Sequence, residues 1–141
     1  MIKDKTAELE IRIDDTEGKQ KPLRILLAED NPVNQKVTWR MLKNMGYLAE
    51  VVSNGSEVLQ AIEQRPYDVI LMDVTMPEMD GLEATRRIRQ LLPHEKQPKI
   101  IAITALASHG DREMCLDAGM DYYLSKPIQP EQLRNALKDI Y

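Results

Sequence analysis

Three observations predict an α/β fold for residues 23–141, a doubly wound sheet of five parallel strands with helices on both faces. Strand-like and helix-like patterns alternate five times along this stretch, the order that parallel strands need for their helical crossovers. The strand-like pieces are short continuous apolar runs such as Val69-Ile70-Leu71-Met72, as expected of strands covered on both faces. Polar residues collect where those runs end: Glu29 and Asp30, Asp73, Thr104, and Lys126. In open parallel sheets the crevice outside the C-terminal strand ends is where ligands bind.

Residues 1–22 are charged and end in Thr16-Glu17-Gly18-Lys19-Gln20-Lys21-Pro22, which reads as a linker or as the remnant of a preceding domain. Leu9, Ile11 and Ile13 alternate with polar neighbours, so an edge strand and a mobile tether both stay open there. Leu23 to Ala28 forms the first strand. Pro32 then opens a helix with Val33, Val37, Met41 and Met45 as its expected apolar stripe and Gly46 as its stop. Val51-Val52 lies in the second strand, and Asn54-Gly55-Ser56 leads into a helix carrying Val58, Leu59 and Ile62. The third strand, Val69 to Met72, delivers Asp73 to a turn, after which Gly81 to about Leu92 is helical. Lys99 to Ile103 is the fourth strand and Asp111 to Ala118 the fourth helix, stopped by Gly119. Tyr122 to Ser125 is the fifth strand. Glu131 to Ile140 is the last helix, with Leu133, Ala136, Leu137 and Ile140 on its apolar face.

A chain of 141 residues suits one ordinary domain, and its net charge of −4 gives no electrostatic case for nucleic acid. Cys115 is alone, which excludes an internal disulfide and fits a reducing cytoplasm; a buried structural thiol is the simpler reading of it. No apolar run approaches the ~18 residues of a membrane span, and no basic segment followed by an apolar one suggests a signal peptide. The expectation is a soluble, cytoplasmic domain without membrane insertion.

Asp73 sits at the mouth of the sheet, and Glu29 and Asp30 end the first strand beside it. Three acids in one poorly solvated crevice repel each other unless a cation joins them. Magnesium is the natural choice, because it takes a few carboxylate oxygens, keeps several waters and accepts phosphoryl oxygens. The other strand ends supply what a phosphoryl group needs: the Thr104 hydroxyl, backbone N–H groups at Thr104-Ala105, and the Lys126 ammonium. Taken singly, each residue has a plainer use as a helix cap, a strand end or a surface cation. Five elements in order at consistent strand ends weigh more than any one of them.

That ordered set, Glu29-Asp30, Asp73, Thr104 and Lys126-Pro127, resembles the receiver domain of two-component response regulators over roughly residues 23–141. Glu29-Asp30-Asn31-Pro32-Val33-Asn34-Gln35, Gly110-Asp111-Arg112 and Ala118-Gly119-Met120-Asp121 are similar to receivers attached to hybrid histidine kinases. The resemblance implies a flavodoxin-like (βα)5 sheet of strand order 2-1-3-4-5 and phosphoryl transfer from a histidine onto Asp73. It implies magnesium, with manganese as a substitute, held by Glu29, Asp30, Asp73 and the backbone carbonyl of Thr75. Lys126, Thr104 and the N–H groups of Val74 and Ala105 would hold phosphoryl oxygens.

The resemblance also implies a cis peptide before Pro127, a structural role for Gly81 in the turn after Asp73, and a switch in which Thr104 and Tyr123 move together. The expected partners are a histidine kinase or a histidine phosphotransfer domain, with Trp39 as a candidate contact, and a second copy through the surface of the fourth helix, fifth strand and fifth helix. A membrane-bound kinase is a candidate tether. Two departures stand out: Glu29 replaces the commoner Asp, lengthening the reach to the metal by one methylene, and Tyr122 stands where hybrid-type receivers often carry Asp.

Three other readings compete. Phosphatases of the haloacid dehalogenase type also use a strand-end Asp but want a second Asp two residues on, where this chain has Thr75. A flavin binder would need the first loop to cradle a phosphate, which Glu29 and Asp30 would repel. A pseudo-receiver, a phosphorylation-independent interaction module, is opposed by the intact acid set. His94 and His109 are expected in exposed loops and lack any ligand-like spacing.

Overall fold

The computed structural model describes residues 23–105 and 108–140. The patterns read in residues 1–22 and the side chain of Ile140 lie outside the described residues. Strands and helices alternate as β1 (Ile25–Ala28), α1 (Pro32–Asn44), β2 (Ala49–Val52), α2 (Gly55–Gln64), β3 (Val69–Asp73), α3 (Gly81–Leu91), β4 (Lys99–Thr104), α4 (His109–Ala118), β5 (Tyr122–Ser125) and α5 (Pro130–Ile140). All four strand pairings are parallel, and the order is β2-β1-β3-β4-β5. The chain order reverses at β1, so the crevice beyond the ends of β1 and β3 is where such a sheet opens for a ligand.

Alternate residues of the strands feed two cores. Leu26, Ile70, Met72, Ile100 and Ala102 meet Val58, Ile62, Leu82, Ile88 and Cys115 from α2, α3 and α4. Ile25, Leu27, Val69, Leu71, Ile101 and Ile103 meet Leu42 of α1 and Leu133, Ala136 and Leu137 of α5. With helices on both faces, the central strands are apolar throughout, which is why they read as continuous runs.

Helix starts follow local chemistry. Asn31, Asn54, Asp80 and Ser108 each accept a backbone N–H at the head of α1, α2, α3 and α4. The Ser108 cap starts α4 two residues before the Asp111 read from sequence, so His109 lies in the helix, and His94 lies in a short 3₁₀ turn, His94–Lys96. Both stay exposed, but neither is in a plain loop. Gly46 and Gly119 follow α1 and α4 with φ of 95° and 109°, the left-handed geometry that suits glycine.

The expected stripe of α1 is corrected. Val33 and Val37 are 68% and 48% exposed, and the buried residues are Thr38 and Leu42. A spacing of four advances about 40° per step around a helix, so a stripe begun at Met45 has rotated off the sheet by Val33. Trp39 consequently flanks the true buried face. It is half-buried, with its indole Nε1 donating to the Ala49 carbonyl of β2 at 3.0 Å.

Candidate functional site

β3 ends on Asp73, and its backbone places that side chain at the crevice with only 1% of its surface exposed. Glu29 follows β1 and is also buried, while the adjacent Asp30 is exposed. One carboxylate oxygen from each of the three lies within 4.8 Å of the others. Lys126, just past β5, donates from Nζ to Asp73 Oδ2 at 2.9 Å and stands 3.7 Å from Glu29 Oε1. Three acids against one ammonium leave an oxygen-rich site short of positive charge. Such a donor set fits a hard divalent cation with room for water, and it offers no nitrogen or sulfur that would favour a softer metal.

The backbone around these side chains is tied down. The Thr75 N–H donates to Asp73 Oδ1 at 3.1 Å, and the Asn31 N–H donates to Glu29 Oε2 at 3.1 Å. Val74 N–H, expected to face a phosphoryl group, instead donates to the Ile103 carbonyl at 2.9 Å, extending the sheet one residue past Asp73. The N–H that reaches the carboxylate therefore belongs to Thr75. Thr104 is the last residue of β4 and nearly buried, its carbonyl accepting from the Lys126 N–H at 2.8 Å, and Ala105 beyond it is exposed. The Lys126–Pro127 bond is cis.

Two expected residues stand apart from the acids. Tyr123 is half-buried, with the Arg112 guanidinium 4.5 Å from its ring centre, and Trp39 is held at the β2 edge. Tyr122 directs its hydroxyl to Asp139 Oδ2 of α5 at 3.1 Å. Cys115 is buried, and burial pushes its thiol up, as a structural cysteine requires. The residue that reading by motif left without a task is Gln35, whose amide Nε2 donates to the Glu29 carbonyl at 2.6 Å.

Burial pushes Glu29 up to about 7; the neighbouring Asp73 adds to this, against the Asn31 N–H and Lys126, which oppose it. For Lys126, burial alone would lower the ammonium, but its bond to Asp73 and the acids around it hold it above the ordinary range. The sign for stability follows. A carboxyl raised from 4.5 to about 7 on folding contributes fully below pH 4.5, and that contribution is lost as pH rises through 7. In chelator, unfolding at pH 5 and pH 8 should show the protein losing up to about 3 kcal/mol through Glu29, a loss that Glu29→Gln removes. Equal pH dependence in the two proteins would mean that Glu29 ionises freely.

With this geometry in place, comparison with known proteins assigns the family. Residues 25–138 match the response regulator receiver domain, and the chain belongs to that family. It is 40% identical over 122 residues to the signal transduction histidine-protein kinase BarA of Escherichia coli K12, a match covering 86% of this chain but 13% of BarA. The chain thus spans only about an eighth of the length of that relative. Among solved structures it is similar to the receiver domain of the sensor histidine kinase PA1611 from Pseudomonas aeruginosa PAO1, which has a magnesium ion coordinated in its active-site cleft. That match has 44% identity and a TM-score of 0.76, and covers 84% of this chain and 97% of the other. A co-crystal structure of the Saccharomyces cerevisiae histidine phosphotransfer protein Ypd1 with the receiver domain of Ssk1 matches with 25% identity and a TM-score of 0.78. It covers 84% of this chain and 88% of the other. Among the described residues no helix is long and apolar enough to cross a membrane.

Proposed function

We propose that residues 23–141 are the phosphoacceptor module of a phosphorelay, taking a phosphoryl group onto Asp73 from a phosphohistidine of a kinase or a histidine phosphotransfer domain. The observation that carries this reading is the nearly buried Asp73 carboxylate, bonded to Lys126 within a cluster of acids that need a cation. A carboxylate oxygen of Asp73 attacks phosphorus; a P–O bond forms, the P–N bond breaks, and its electron pair returns to the imidazole nitrogen. Lys126 neutralises one phosphoryl oxygen, while the Thr104 hydroxyl and the N–H groups of Ala105 and Thr75 donate to others. Glu29, Asp30, Asp73 and the Thr75 carbonyl would hold magnesium, or manganese in its place, which when bound supplies positive charge to the phosphoryl oxygens.

Phosphorylation then biases a switch. Ala102 pairs with Tyr123 and Thr104 with Ser125 across β4 and β5, so the Thr104 and Tyr123 side chains share one sheet face under α4. New acceptor oxygens draw the Thr104 hydroxyl, the Tyr123 ring follows, and the α4-β5-α5 surface changes for its partner or a second copy. For the donor, exposed Val33 and Val37 are better contacts than Trp39, which is committed to Ala49; Val37 lines a cavity of about 310 Å³ together with Glu29 and Lys126. The module acts in the cytoplasm, tethered to a kinase or free.

The test is incubation with acetyl phosphate or phosphoramidate, with and without magnesium, followed by intact-mass measurement and peptide mapping. One phosphate per chain, on the peptide carrying Asp73 and lost in chelator, is expected. Modification elsewhere, or none, refutes the phosphoacceptor reading.

A further inference from the structure

We infer that Gln35 is a positioning residue for the metal-binding loop, setting the place of Glu29 and Asp30 without touching the cation itself; this rests on the magnesium reading above. β1 ends at Ala28, so Glu29 and Asp30 have left the strand, and their carboxylates go wherever that two-residue backbone goes. Glu29 is fixed from three sides. Its N–H still donates to the Val52 carbonyl at 3.0 Å, its Oε2 accepts the Asn31 N–H at 3.1 Å, and its carbonyl accepts the Gln35 amide at 2.6 Å. The same amide reaches Ser53 Oγ at 3.2 Å, and the Ser53 N–H is in turn held by Glu57 Oε1 at 2.6 Å. Gln35 thereby ties the loop after β1 to the loop after β2 from the first turn of α1.

The residue type suits the task. An unpaired carbonyl beside a buried carboxylate needs a donor. A lysine there would compete with the cation, and a carboxylate would oppose the Glu29 carbonyl with another acceptor. A side-chain amide donates twice and brings no charge to a site whose balance already depends on one ammonium. Such outer partners fix ligand orientation, and their loss typically costs about 10- to 100-fold in metal affinity.

The experiment compares the full chain with Gln35→Met, which keeps length and volume but has no donor. Magnesium affinity is read by titration calorimetry and by the amide NMR shifts of Asp30 and Thr75, and the acetyl phosphate reaction is followed against magnesium concentration. Gln35→Met is expected to raise the half-saturating magnesium concentration about 10- to 100-fold, with the labelling rate at saturating magnesium restored to near that of the unsubstituted chain. Unchanged affinity, or a rate that saturating magnesium does not restore, overturns the positioning role. Absence of magnesium binding by the unsubstituted chain overturns the metal reading itself and this inference with it, an outcome distinct from failure at Gln35 alone.

Discussion

Asp73→Asn is expected to abolish phosphorylation by acetyl phosphate and by a phosphohistidine donor while leaving the fold intact. An amide oxygen has neither the charge nor the nucleophilicity of a carboxylate, so the reaction loses its attacking group altogether. The fold should survive because asparagine is nearly isosteric. Its amide oxygen can still accept the Thr75 N–H or the Lys126 ammonium that now stand 3.1 and 2.9 Å from Asp73. A second effect follows from charge. Asp73 is one of the groups that raise Glu29, so removing it should bring the Glu29 carboxyl down from about 7. Intact-mass labelling reads the first effect, and an NMR titration of the Glu29 carboxyl carbon reads the second. Undiminished labelling of the variant would move the phosphoacceptor elsewhere, and an unmoved Glu29 would show that burial alone sets its acidity.

The fold was legible in the sequence where burial is two-sided. The runs through Leu27, Leu71 and Ile101 carry apolar residues at every position because both faces are covered, and their shortness separates them from buried helix segments. Acids at strand ends were legible for a related reason: a charge that follows such a run lies past its C-terminal end, at the mouth of the sheet, whereas Arg24 and Asp68, which precede runs, pair with each other at the opposite edge. Reading failed where the answer depends on a small angle or one residue of register. Spacing of four along α1 drifts around the helix, so a stripe through Val33 and Val37 leaves the sheet, and Trp39 falls beside the buried face instead of opposite it. Sheet pairing continues one residue past Asp73, so Ile103 takes up the Val74 N–H and the Thr75 N–H meets the Asp73 carboxylate, and no side-chain pattern marks where a ladder stops. Gln35 went unassigned because its bond is to a backbone carbonyl, and backbone acceptors leave no trace in the sequence.

Gly81→Ala is expected to destabilise the protein by about 3 kcal/mol. A Cβ added at Gly81 would sit 2.3 Å from the Asp73 carbonyl oxygen and 2.8 Å from Met72 Cγ, and the first of these is backbone that cannot rotate away. The Gly81 N–H also donates to the Val74 carbonyl at 3.0 Å, so α3 cannot back off without breaking the contact that closes the turn after Asp73. Because the collision falls on Asp73 itself, magnesium affinity and labelling should fall together with stability. Gly110→Ala provides the opposite case: its added Cβ meets nothing nearer than Ser108 Oγ at 4.0 Å, and the residue lies inside α4. Alanine in that first turn should stabilise by up to about 0.5 kcal/mol, less than in a helix middle, since glycine loses more conformational freedom on folding. Urea unfolding of the two variants in the same buffer gives the comparison. Shifts of opposite sign are expected, and a Gly81→Ala protein as stable as the unsubstituted chain would mean that α3 can slide away from β3 at no cost.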